Sequence, residues 1–375
     1  MFSYWEQKNF LTYDLIVIGS GFVGLSTAIH FAKKHSKASV AVLERGIFPS
    51  GASSKNAGFA CFGSLTEILD DLWHMNQEEV LSLVKKRHQG LQQIRKKFGD
   101  KALGYQASKG YELLSDDQLG ALDQLEGINK MLKKLFKEDV FSEVKNKEKF
   151  GFAGSVKSVI QNKFEGELDP GKYLSCLWKL AGELGVRLFT GVNVEEVDVE
   201  TGVLKLSDQL TKQTFELTGS QVAVCTNAFT KQLLPETPLE PGRGLVLVSK
   251  KLDFDIPWKG SFHMDKGYVY FRKIDGRLLL GGARNIDFEG ENSTDFSVNP
   301  KIKSHLSDLA QKVIFPGKEI QWEYEWTGIM AFGEKKLPII QSVGKKGSIA
   351  VRLGGMGVAI GWQVGKELSK LISEK

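Results

Sequence analysis

The segment Gly19-Ser-Gly21-Phe-Val-Gly24 constrains this 375-residue chain more than any other. An apolar, β-branched run, Leu15-Ile-Val-Ile18, precedes it. A helical pattern with Leu25, Ala28, Ile29 and Ala32 on one face follows. A second apolar run, Val40-Ala-Val-Leu43, ends at Glu44, twenty residues past Gly24. Strand, glycine turn, helix and strand within about thirty residues make the parallel crossover unit. In that setting the first glycine permits a tight turn and the second admits backbone N–H groups to a pyrophosphate. The third, with Ala28 one turn on, lets helix and sheet approach closely. The helix N-terminus aims partial positive charge at the phosphates, and Glu44 is placed to accept both ribose hydroxyls of an adenosine. Gly19, Gly21, Phe22, Val23, Gly24 and Glu44 are therefore expected to hold a dinucleotide. NAD and FAD share this opening.

The chain is longer than the common domain of about 100–150 residues, so two or three folding units are expected. A dense lysine run between Asp116 and Phe150 reads as a solvated helix face. Asp169-Pro170 opens a helix that Gly185 stops, and short strands follow to Val222-Ala-Val-Cys225. From Gly244 to Gly282 the pattern is nearly all strand, and a closing helix runs from Val358 to Ile372. Fifty basic against forty-five acidic residues give a net charge of +5, mild and dispersed, which suits an anionic ligand and does not call for nucleic acid. Cys61, Cys176 and Cys225 are odd in number and far apart, which supports neither a disulfide framework nor a metal site. No apolar run reaches about 18 residues and no leader pattern opens the chain, so a cytoplasmic location without a membrane span is expected.

Several blocks resemble the D-amino acid oxidase-like family of FAD-dependent oxidoreductases, which includes glycine oxidase, D-amino acid dehydrogenase and γ-glutamylputrescine oxidase. Glu44-Arg45 followed by Gly51-Ala52-Ser53-Ser54-Lys-Asn56-Ala57-Gly58-Phe59 is similar to that family's flavin-facing loop. Leu168-Asp-Pro-Gly171, Val222 to Ala228, Pro241 to Gly244, Leu278 to Arg284 and Gly354 to Gly361 resemble further blocks, in the family's order. The resemblance implies an α/β fold: a Rossmann-like FAD-binding domain of the glutathione-reductase type with an inserted, mostly antiparallel substrate domain. It places residues 1–85, 151–235 and 330–375 in the first, and 86–150 and 236–329 in the second. It also implies FAD contacts at Val194, Thr226, Asn227, Ala228, Arg352, Gly354, Gly355, Met356, Gly357 and Val358.

The implied reaction is oxidation of an amine or amino acid to an imine by hydride transfer to flavin N5, with oxygen or another group as final acceptor. Glycine oxidase-like members grip the substrate carboxylate with an arginine after W-x-G-hydrophobic. Here Trp326-Thr-Gly-Ile329 is followed by Met330. Tyr268, Tyr270, Arg272 and Arg284 are the candidates for the pocket wall, and alternation puts the first three on one strand face. Which way that face points is open. Cys61 could link covalently to a flavin, and His74 and His263 could act in acid–base chemistry, but no partner spacing supports any of them. An NAD-dependent dehydrogenase, a flavin-binding protein without turnover, and a tRNA-modifying member remain alternatives.

Overall fold

The computed structural model describes residues 2–207 and 214–375. Positions 208–213, within the expected 151–235 segment, lie outside the described residues. The strand Thr12–Ile18 is the centre of the first sheet, pairing in parallel with Val40–Glu44 on one side and Thr214–Val224 on the other. Arg187–Thr190 and Gly347–Val351 extend the parallel set outward, and Ile339–Val343 closes one edge antiparallel. Leu15, Ile16 and Val17 are wholly buried, as a parallel strand covered on both faces requires. A small antiparallel branch, Val194–Asp198 and Val203–Ser207, pairs with the first half of Thr214–Val224.

Glycines close the helical layer. A Cβ on Gly365 of the last helix, Gly357–Ile372, would lie 2.5 Å from Ser26 Cβ on the helix Phe22–Lys34. A Cβ on Gly90 of the helix Gln77–Phe98 would lie 1.9 Å from the Ala359 carbonyl oxygen. The end of the chain therefore packs directly on the first crossover helix. Among the described residues no helix is long and apolar enough to cross a membrane.

The second sheet runs Trp322–Phe332, Glu240–Ser249, Arg277–Gly282, Val269–Ile274, Ser261–Met264, Gly110–Leu114, Ser158–Asn162, Phe141–Glu143. All neighbours are antiparallel except Ser261–Met264 with Gly110–Leu114. Tyr111, Phe262, Phe271, Leu280 and Leu247 lie in register on one face and join Trp258 in an aromatic core. The opposite face carries Glu112, His263, Tyr270 and Gly281 in the adjacent register row. Alternation thus separates a greasy side from a side bearing chemistry.

Three expected boundaries shift. Ser158–Asn162, placed with the first unit, is a strand of the second sheet. The helix Gln77–Phe98 runs through the expected break at 85/86, and its Leu91 and Ile94 join the first core. The strand Trp322–Phe332 likewise crosses 329/330, because its pairing with Glu240–Ser249 is continuous. After Ser64 the chain forms two helices, Leu65–His74 and Gln77–Phe98, opened by capping boxes at Ser64 and Asn76. The lysines of Leu125–Phe136 are exposed while Ile128, Met131 and Leu132 are buried, as a solvated face requires.

Candidate active site

One long cavity runs from the first crossover unit to the chemistry-bearing face of the second sheet. At its start Gly19 adopts φ +100°, and a Cβ on Gly24 would fall 1.9 Å from the Gly19 carbonyl oxygen. Gly24 therefore does not face the cavity; it sets the closeness of turn and helix. Gly21, the N-cap, has no side chain to cap the helix Phe22–Lys34. Ser53 Oγ accepts from Phe22 N at 3.0 Å instead, so the 51–59 loop is seated where an anion is favoured. Glu44 is 8% exposed and accepts from Ser20 N at 3.1 Å, Ser20 Oγ at 2.8 Å and Gly46 N at 3.0 Å. A carboxylate offers about four acceptor sites, so about one remains for a ribose hydroxyl rather than the expected two. Arg45 lies over the Phe229 ring at 4.0 Å, a partner that nothing local in the sequence announces.

Gly51, Ala52, Ser53, Asn56, Ala57, Gly58 and Phe59 line the cavity, as do Phe22, Val23, Val194, Thr226 and Asn227. From the C-terminal loop, Gly354, Gly355, Met356, Gly357 and Val358 line it too. The fit to a flat, phosphate-bearing group rests on open space. A Cβ on Gly51 would meet no atom within 4 Å, and Gly354 and Gly355 have positive φ with nothing closer than 3.8 Å. Besides Gly24, four of the expected residues are not among those lining the cavity. Ser54 Oγ turns back to the Gly51 carbonyl at 3.2 Å, and Ala228 is buried in the sheet core. Arg352 points away, donating to the Leu337 and Pro238 carbonyls, while its backbone N–H holds Asn227 Oδ1 at 3.0 Å. Arg272 is buried and bonded to Glu167 at 3.2 Å, screened from the cavity by Gly58.

Tyr268, Tyr270 and Arg284 do line the cavity. Gly281 and Gly282 make room for the Tyr270 ring, which meets Phe59 edge-on at 5.5 Å. Burial pushes the Tyr270 phenol up to about 12, so it stays a neutral donor. Arg284 stacks on Phe332 at 3.8 Å, with Phe288 at 4.9 Å and Tyr268 at 5.8 Å. Among the described residues no carboxylate lies within ion-pair distance of it. Met330, which follows Trp326-Thr-Gly-Ile329, sits between Gly244 and Gly355. Trp326 of the same motif donates to the Lys55 carbonyl at 2.9 Å and pins the 51–59 loop.

Behind Phe59 lies a group of buried carboxyls that sequence reasoning missed, because its members come from separate elements. Glu165 accepts from Phe62 N at 2.9 Å and Gly63 N at 3.3 Å. Glu112 accepts from Ser64 and Thr66. Burial raises Glu165 to about 8 and Glu112 to about 7, against the backbone and hydroxyl donors that oppose the shift. Cys61 is buried beside them with Sγ 3.8 Å from Met356 Sδ. Burial, then Glu165 and Glu67, push its thiol well up, which disfavours the thiolate a covalent link needs. His74 is exposed on a helix end and is not among the residues lining the cavity. No metal-holding group of His, Cys, Asp or Glu occurs among the described residues.

These carboxyls make stability pH-dependent. A carboxyl with a raised folded pKa keeps its proton better when folded, so its contribution is complete below about pH 4.5 and is lost as pH rises through 7 to 8. Denaturant unfolding at about pH 5 and about pH 8 is expected to show the wild type losing on the order of a few kcal/mol. Glu165→Gln is expected to lose clearly less. Equal losses in both proteins would mean that Glu165 ionises normally.

A model of the FAD dependent oxidoreductase family, DAO, matches residues 14–371. Glycine oxidase from Geobacillus kaustophilus superposes with a TM-score of 0.75 at 17% identity, over 97% of this chain and 95% of that one. L-proline dehydrogenase from P. horikoshii gives 0.75 at 19%, over 97% and 94%. Iminodiacetate oxidase from Chelativorans sp. BNC1 gives 0.75 at 18%, over 96% and 95%. At these identities the superpositions establish the shared fold.

Proposed function

The chain belongs to the FAD-dependent oxidoreductase family DAO, and from that premise we propose that it oxidises a small amine or amino acid to the corresponding imine. The observation that carries this reading is Arg284, a cation without an ion-pair partner among the described residues, held by aromatic rings in the cavity that also takes the dinucleotide. The structural neighbours named for glycine, L-proline and iminodiacetate support it.

When bound, FAD supplies the two-electron acceptor for a hydride from the carbon bearing the amine. The chain's residues do the rest. The turn at Gly19–Gly21, the helix N-terminus at Phe22 and the 51–59 loop hold the phosphates and ribose. The loop 354–358 lets the backbone lie against a flat ring, and the N-terminus of Gly357–Ile372 favours negative charge there. Tyr270 and Phe59 wall the reacting carbon from water. Arg284 grips a substrate carboxylate and so fixes which C–H bond faces inward.

Anaerobic bleaching of the flavin absorbance against amines, amino acids and N-methyl amino acids tests the reading. Bleaching by one class is expected, and readmitted air then distinguishes an oxidase from a dehydrogenase. A yellow protein that none of them reduces would favour flavin binding without turnover. For a carboxylate-bearing substrate, Arg284→Met is expected to raise KM about 100-fold, the loss of a charge-assisted contact of about 2–3 kcal/mol. Arg284→Lys should recover part of that loss. An unchanged KM would place the carboxylate elsewhere.

A further inference from the structure

The geometry points to His263, set between Glu67 and Glu165, as the group that accepts the proton a substrate ammonium must shed before oxidation. The inference deepens the amine reading above and rests on it. An alkyl ammonium loses its proton near pH ~10, as the lysine side chain does, so at neutral pH an amine arrives charged. Its nitrogen lone pair is then tied up in an N–H bond, and hydride loss from the neighbouring carbon has nothing to drive it. The N–H bond must break first, its electron pair staying on nitrogen and its proton going to the enzyme.

Three observations select His263. It lines the cavity from the second sheet, one register row from Tyr270, and is only 4% exposed. Its Nδ1 lies 3.9 Å from Glu67 Oε2 and its Nε2 3.8 Å from Glu165 Oε2, so carboxyl groups from two other elements flank the ring. Its Nε2 is buried without a hydrogen-bond partner, an arrangement with a cost unless a proton or a ligand visits it. Burial lowers the imidazole and favours the neutral, accepting form at rest. Once protonated, the ring gains Coulombic support from Glu67 at low local dielectric.

The other groups facing this ring are accounted for. Glu112, its register partner on the neighbouring strand, is turned to Ser64 and Thr66. Tyr270 is a neutral phenol, and Lys266 is paired with Asp70 at 3.6 Å. Glu165 acts through His263 as a positioning residue, and a Cβ at Gly110 would occupy its place, 2.1 Å from Oε2.

The test has two arms. In the first, the imidazole of His263 is followed by NMR across pH in the purified holoenzyme, with no substrate present. A reversible titration is expected, moved downward by Glu67→Gln. A ring that never titrates in the folded range, or that ignores Glu67→Gln, would overturn the inference whatever the substrate is. The second uses an amine that bleaches the wild type. His263→Asn is expected to slow anaerobic bleaching about 100-fold at neutral pH, with a rate that climbs as pH approaches the amine's own pKa and there nears the wild type. A variant slowed equally at every pH, or not slowed, would also overturn it. If no amine bleaches the wild type, the amine reading fails and the NMR arm still decides whether His263 is a proton acceptor.

Discussion

Gly24→Ala is expected to abolish FAD retention through purification and to weaken rebinding about 1000-fold, measured by flavin fluorescence quenching. The added Cβ would fall 1.9 Å from the Gly19 carbonyl oxygen and 3.2 Å from Val17 Cγ1. The first neighbour is backbone of the turn itself, and the second belongs to the central parallel strand. Neither can step aside, so the helix Phe22–Lys34 must lift off the sheet. Its N-terminal N–H groups then leave the phosphate position, and each such charge-assisted bond is worth about 1.5–3 kcal/mol. Two lost bonds account for the expected change. A yellow Gly24→Ala protein with ordinary retention would show that the dinucleotide does not sit on this turn.

Gly90→Ala is expected to destabilise the folded protein by about 2–3 kcal/mol, although alanine in a helix interior normally gains about 1 kcal/mol over glycine. Two helices touch at this point, and the Cβ would lie 1.9 Å from the Ala359 oxygen. Ala359 lines the cavity and sits next to Val358, so displacing the last helix should also loosen FAD. Gly127→Ala is the matched control. It lies in the exposed part of Leu125–Phe136, where a Cβ would meet nothing within 4 Å, and should stabilise by about 0.5–1 kcal/mol. Denaturant midpoints of the two variants should therefore move in opposite directions. Equal upward shifts would mean that the two helices are not in close contact at Gly90.

The nucleotide end of this protein is written in one local stretch of sequence. A crossover unit is local: Leu15–Ile18, the three glycines and Glu44 lie within thirty residues, and the turn geometry demands those residue types at that spacing. The 51–59 and 354–358 loops were recognisable through the family resemblance, and their small residues suit close backbone approach. The far wall of the cavity depends instead on contacts between elements distant in the chain. Alternation put Tyr268, Tyr270 and Arg272 on one face, yet Arg272 is covered by Gly58 and held by Glu167, a residue 105 positions away. Ala228 lay in a recognisable block and Arg352 just before one, but whether they face the cavity depends on the backbone at Arg352, with φ 65°, and on the packing beneath the sheet. His263 had no partner at any sequence spacing. It acquires two, because a helix carrying Glu67 and a turn carrying Glu165 both pack against its strand. Burial and electrostatic pairing are properties of neighbours in space, and neighbours contributed by separate elements leave no periodic trace in the chain that folds to bring them together.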